Sequence, residues 1–268
     1  MNKILAAAGL MAHHRFPLAA FPVLATILFC SSIQAQEARK IIEEVQRRSR
    51  TNSQRYEGTL QVVDAGNRIT EKRWRYDRAG SFGESKTLLR FLSPPEVKGV
   101  ALLVHNFKER SSDQWMWTPA LQRDRRIALQ DRSTRFFGTG FSFEDLEERD
   151  VDHSDYKMLG EESIDGSLCW KIEARPRKGR SSQYTHTLAW VRKDVYVFVR
   201  IEGFRYEELV RRIGYHEVEN IKGTWTAKRI EVYEVKRKSR TVMKLEQLEY
   251  NVPMKDEDFT LQALRRGS

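Results

Sequence analysis

The sequence predicts a mainly β protein, an antiparallel meander of about a dozen strands that is too long to stay flat and must curl around one concave face. Three observations predict it. From Tyr56 onward apolar residues recur with a period of two, short runs of turn residues separate these stretches, and only residues 37–50 carry the period of a long helix. A helix or two must then cover the concave face, or apolar surface is left in water.

The first thirty-five residues contain Lys3 and Arg15, no acid, and an uncharged run from Phe16 to Ala35 that ends in small and polar residues. That is the pattern of a secretory signal. Pro17, Pro22 and the "SSIQA" ending argue against a stable membrane span, so cleavage after Ala35 and release into the periplasm are expected. Lipid attachment at Cys30 is the rival reading, because "ILFC" ends the apolar run in cysteine, although Phe29 stands where a lipobox has a small residue. If Cys30 leaves with the signal, Cys169 alone remains and no internal disulfide can form.

The 233 residues after Ala35 contain no Pro/Gly/Ser linker, so residues 36–268 are expected to form one domain, and a monomer. Removing Lys3 and Arg15 from 47 basic residues leaves 45 against 37 acidic, a net charge of +8. Export turns the expectation for so basic a chain away from nucleic acid and toward anionic head groups or an acidic protein surface.

In "EARKIIEEVQRRSR" Ala38, Ile41, Ile42 and Val45 share one helical face, and Glu43 and Glu44 stand four residues before Arg47 and Arg48. The helix lays a narrow apolar stripe on something larger. "YEGTLQVV" and "RITEKRWRY" flank "DAGN", a hairpin signal, and "KTLLRFL", "VALLVHNF", "DQWMWTP" and "QRDRRIAL" continue the strands. After residue 155 the pattern resumes with a hairpin around "IDG" and runs to "RTVMKLEQLEY". The basic stretches "RPRKGR" and "KRKSR" fall where hairpins turn, as solvated tips or as contacts to head groups.

Between the two halves lies "RFFGTGFSFEDL", residues 135–146, with Phe136, Phe137, Phe141 and Phe143 close together. Ser142 and Asp145 are spaced to cap a short helix reciprocally, with Phe141 and Leu146 as its hydrophobic staple. Gly138 and Gly140 would permit a hinge just upstream. Each buried Phe contributes about 1.5–3 kcal/mol, so the segment must lie on an apolar surface, either as a permanent plug or as a hinged lid. Alternation places Trp115 and Trp117 on one face of their strand, and these indoles are expected to line the concave face beneath the lid.

"DQWMWTPAL", the arginine-rich strand after it and "FFGTGFSFEDL" resemble the LolA-like outer-membrane lipoprotein-sorting proteins, over nearly all of the chain after the signal. The resemblance implies an unclosed antiparallel half-barrel, LolA/LolB-like, whose apolar concave face is covered by short helices and holds acyl chains between sheet and lid. It implies an acylated lipoprotein or lipid as cargo and membrane-bound donor and acceptor proteins as partners. At Gly140 the chain departs from the family pattern, in which an acid commonly follows the Gly-Thr or Gly-Ser pair, so the polar latch of that acid is not implied here.

Signals for other chemistry are missing. His105, His153, His186 and His216 have no second ligand at zinc spacing, and the seven acids among residues 144–155 read as a solvated loop in which like charges repel, so no metal is expected. There is no Ser elbow, phosphate loop or Cys/His nucleophile signature, so neither catalysis nor a cofactor is expected. The expected function is a periplasmic carrier of acyl chains bound for the outer membrane. The alternative is an envelope sensor or transporter accessory subunit that recognises a lipid-bearing partner.

Overall fold

A computed structural model of the chain describes residues 22–266, with side chains from Gln34 onward. The expected signal peptide and Cys30 therefore fall outside the description, save for helical backbone from Pro22. A helix, α1 (Pro22–Ser49), leads into β1 (Ser53–Val63), β2 (Ile69–Ser81), β3 (Glu84–Ser93), β4 (Ala101–Phe107), β5 (Asp113–Thr118) and β6 (Arg123–Arg126). After a long connection come β7 (Ser154–Ile164), β8 (Ser167–Pro176), β9 (His186–Arg192), β10 (Phe198–Arg205), β11 (Glu208–Ile221), β12 (Thr224–Glu234) and β13 (Ser239–Tyr250), then a short C-terminal helix, α2 (Leu261–Arg265).

All thirteen strands form one antiparallel sheet that is not closed into a barrel, in the order β6-β5-β4-β3-β2-β1-β13-β12-β11-β10-β9-β8-β7. It is two meanders joined at their far ends. β1 pairs with β13 in the middle, Leu60 opposite Met243, while β6 and β7, neighbours in sequence, are the two outer edges. The chain between them must cross the whole sheet. Residues 127–153 make that crossing over the concave face, and this is why the aromatic segment covers the core.

The main core cluster joins Leu60, Trp74, Phe91, Val232 and Met243 of the sheet to Phe136, Phe141 and Phe143 of the crossover. The apolar stripe of α1, Ala38, Ile41, Ile42 and Val45, is buried as its periodicity predicts and packs on Ile172 and Val191 of the other half. A third cluster lies on the outer face, where Phe259 and Leu264 cover Ala101, Leu103 and Trp117. The "DAGN" and "IDG" turns, and the "KRKSR" tip between β12 and β13, fall where they were expected.

Candidate functional site

Between the sheet, α1 and the crossover is a cavity of about 620 Å³, within the range of small-molecule sites. Ile42 and Val45 close it from α1, Phe141 and Leu146 from the crossover, and Trp74 and Ile213 line it from the sheet. Tyrosines are its other main component, among them Tyr56, Tyr76, Tyr156, Tyr196 and Tyr215. Burial pushes the phenols of Tyr56, Tyr76, Tyr156 and Tyr215 up from their usual pKa, so these walls stay neutral, and the charged lining is confined to Arg78, Arg211 and the crossover residues 144–150. Such walls suit an alkyl chain with a few neutral polar groups along it.

The crossover is pinned at several points. Residues 135–142 form a miniature hairpin, with Arg135 bridged to Ser142 and the Phe136 N–H donating to the Phe141 carbonyl at 2.8 Å. Its tip uses positive φ at Phe137 and Gly138, +45° and +72°. Phe136 stacks on Phe91, ring centroids 5.3 Å apart, and Phe141 leans on Trp74 at 6.0 Å. From β13 the Thr241 hydroxyl accepts the Gly140 N–H at 2.7 Å, and from β5 the buried Gln114 amide donates to the Phe143 carbonyl and to Glu147.

Ser142 and Asp145 exchange hydrogen bonds as their spacing predicts, Ser142 N–H to Asp145 Oδ2 at 2.7 Å and Asp145 N–H to Ser142 Oγ at 3.3 Å, around one 3-10 turn, Glu144–Leu146. Asp145 then meets the guanidinium of Arg211 on β11, which also donates to the Tyr184 hydroxyl at 2.8 Å and reaches Glu234 of β12 at 3.4 Å. Arg135 completes the set, 2.9 Å from Glu234. Burial works against the charge of Arg211, but the negative groups around it outweigh burial and hold its pKa above the ordinary value. A buried ionic latch thus ties the crossover to the second meander.

The acidic run 144–155 is not the solvated loop that its like charges suggested. Arginines from four places neutralise it: Glu144 pairs with Arg149, Glu147 with Arg132, Glu148 with Arg78 and Asp152 with Arg39 of α1. Gln46 of α1 also donates to the Arg149 carbonyl at 3.0 Å and accepts the Val151 N–H at 3.2 Å, so helix and crossover form one continuous cover.

A protein-family model described only as "Uncharacterized protein" matches residues 83–266. A DUF1329 family protein from Desulfovibrio piger is 27% identical, with a TM-score of 0.82 over 86% of this chain and 99% of that one. A domain from Vibrio parahaemolyticus named for outer membrane lipoprotein sorting is 23% identical, with a TM-score of 0.82 over 87% of this chain and 100% of that one. A LolA superfamily protein from Nitrosomonas europaea is 19% identical, with a TM-score of 0.67 over 86% and 99%. The chain has the LolA-like fold. Comparison with curated proteins gives no match.

One expectation for this chain is corrected by its structure, and another gains a second explanation. Trp115 and Trp117 do share a face, but it is the outer one: Leu103 opposes Trp115, Ala101 opposes Trp117, and both indoles belong to the cluster under Phe259 and Leu264. Their strand instead points Met116 and Gln114 at the core, because the C-terminal segment supplies the outer face with its own apolar cover. Gly138 and Gly140, expected as a hinge, have static reasons to be glycine. The first takes a left-handed turn conformation, and a Cβ on the second would press on Val232 and Thr241 at 3.1 Å.

Trp74, together with Trp225, lines the cavity instead. The sequence neighbourhood of Trp74, "RITEKRWRY", marked a strand, and only the pairing of β2 with β1 and β3 turned the ring inward. Trp117→Ala is expected to cost about 3 kcal/mol in a denaturant titration and to leave lipid uptake unchanged, whereas Trp74→Ala should impair both. Equal uptake by the two variants would place the binding surface elsewhere.

Proposed function

We propose that the protein is a periplasmic carrier that shields acyl chains of a lipoprotein or lipid in the cavity between sheet, α1 and crossover, for transfer to the outer membrane. The observation that carries this reading is the largely apolar and tyrosyl lining of a 620 Å³ space under a latched cover, with its charged residues gathered at the crossover and at Arg78 and Arg211. Moving a sixteen-carbon chain into water costs about 12 kcal/mol at ~0.8 kcal/mol per methylene, so a chain in transit needs such a shelter. The names of the Vibrio and Nitrosomonas proteins support the same reading. Among the described residues no helix is long and apolar enough to cross a membrane, and no cluster of His, Cys, Asp and Glu could hold a metal ion. The lining offers burial and orientation, and the proposed role involves no bond-making step.

Native mass spectrometry of protein purified from the periplasm tests this, with co-purified lipid or acylated peptide as the expected result. Titration with a long-chain fatty acid should change tryptophan emission, and Trp74→Phe combined with Trp225→Phe should remove much of that change. Protein that is free of lipid on purification and silent in the titration would refute the carrier reading.

A further inference from the structure

A second, smaller cavity of about 190 Å³ lies on the far side of residues 144–153. Glu144, Glu147, Glu148, Arg149, Asp150 and His153 line both spaces, so this segment is the partition between them. The small cavity is polar. The β4–β5 turn contributes Lys108 and Ser112, the crossover Arg132, and the β8–β9 loop Arg180 and Ser182. Arg180 comes from the "RPRKGR" stretch that the sequence left between solvated tip and head-group contact.

Three of the four carboxylates in this cavity are ion-paired within the protein, and Asp150 has no cation within 4 Å among the described residues. Glu144 accepts from Arg149, from the Ser182 hydroxyl and from the Gln183 N–H; Glu147 pairs with Arg132 at 2.5 Å. Glu148 accepts the Phe82 N–H at 2.9 Å and lies 3.4 Å from Arg78, and Asp150 accepts the Asp152 N–H at 2.9 Å. The cations are less fully matched. Arg180 donates to the Lys108 carbonyl at 3.1 Å and, among the described residues, has no carboxylate within 4 Å. The Lys108 ammonium reaches Asp152 only at 4.0 Å. Arg132 is 7% exposed; it donates to Glu147 and to the Ser112 hydroxyl and carbonyl, which leaves only its Nε without a hydrogen-bond partner. The pKa of His153 falls to about 4, first through burial and then through the charges of Arg149 and Arg180, with Glu144 acting in the opposite direction.

A neutral chain would leave Arg180 and Lys108 incompletely paired, and an oxyanion would complete them. Guanidinium and ammonium groups make their strongest hydrogen bonds to phosphate-type oxygens, more so where water is partly excluded. At roughly 30 Å³ per water the space holds a phosphate group and some of its hydration, and is too small for an acyl chain. We infer that the polar cavity is an anion subsite that takes a phosphate-type group through Arg180, Lys108 and Arg132, while the chain of the same cargo lies across the partition. The lipid assignment rests on the carrier reading; the anion subsite itself does not.

The test uses the full chain after the signal and its Lys108→Gln/Arg180→Gln variant, two solvent-facing changes, with melting temperature as the control for folding. The probes are dioctanoyl phosphatidylglycerol, dioctanoylglycerol, which lacks the phosphate, and inorganic phosphate. The wild type should bind the phospholipid about tenfold tighter than the neutral lipid, and the variant should lose that preference while binding the neutral lipid as before. Inorganic phosphate should compete with the phospholipid and not with dioctanoylglycerol. Phosphate binding that the variant loses, without any preference between the lipids, would keep the subsite and assign it to the free ion. Equal lipid affinities in both proteins with no phosphate binding would overturn the subsite and leave the carrier standing. Failure of both lipids to bind would sink the carrier reading, and the phosphate titration would still decide the subsite.

Discussion

Replacing Arg211 by methionine is expected to cost about 3–5 kcal/mol and to free the crossover from the second meander. The guanidinium is 3% exposed and serves Asp145, Tyr184, Ser142 and Glu234 at once. Methionine fills much of the same volume, so the loss isolates charge and hydrogen bonding from packing. Asp145 keeps Ser142 and Tyr184 as donors, and Glu234 keeps Arg135 and Ser239, which limits the damage to a protein that still folds. Adding Asp145→Asn to the methionine variant should recover part of the loss, because the one carboxylate left without a cationic partner is then gone. Denaturant titration measures the stability, and amide exchange over residues 140–149 reads the release. A variant within 1 kcal/mol of the wild type, with unchanged exchange, would mean that the latch is ornamental.

Phe141→Glu should have the next largest effect, and it bears directly on what the cover does. Phe141 is buried against Trp74 and also faces the cavity, so the substitution forfeits about 1.5–3 kcal/mol of burial and adds the cost of an unpaired carboxylate in apolar surroundings. The segment should lift, with rapid exchange over residues 135–149 and weakened retention of fatty acid. The same exchange experiment on the wild type separates a lid from a plug. A lid exchanges faster than the sheet when empty and slows when lipid binds. Core-like protection in the empty protein, unchanged by lipid, would make residues 135–143 a permanent plug and confine any movement to the stretch from Leu146 onward.

The sequence by itself determined what depends on near neighbours. Period-two alternation set the strands, "DAGN" and "IDG" set their turns, the stripe Ala38, Ile41, Ile42, Val45 set the buried face of α1, and the three-residue spacing of Ser142 and Asp145 set their reciprocal hydrogen bonds. These are contacts within one element or one turn, where a few residues fix the geometry.

The tertiary structure alone decided the rest. Alternation places Trp115 and Trp117 together but cannot say on which side of the sheet; that was decided by cover from Phe259 and Leu264, far along the chain. No local pattern announces that β1 pairs with β13, yet this pairing sends β6 and β7 to opposite edges and forces the aromatic crossover over the concave face. Asp145 and Arg211 stand 66 residues apart, and the acids that read as mutually repelling are paired with arginines from α1, β2 and the crossover itself. A run of like charges is solvated only when nothing of opposite charge is folded onto it, and what folds onto it is set by the order of the strands.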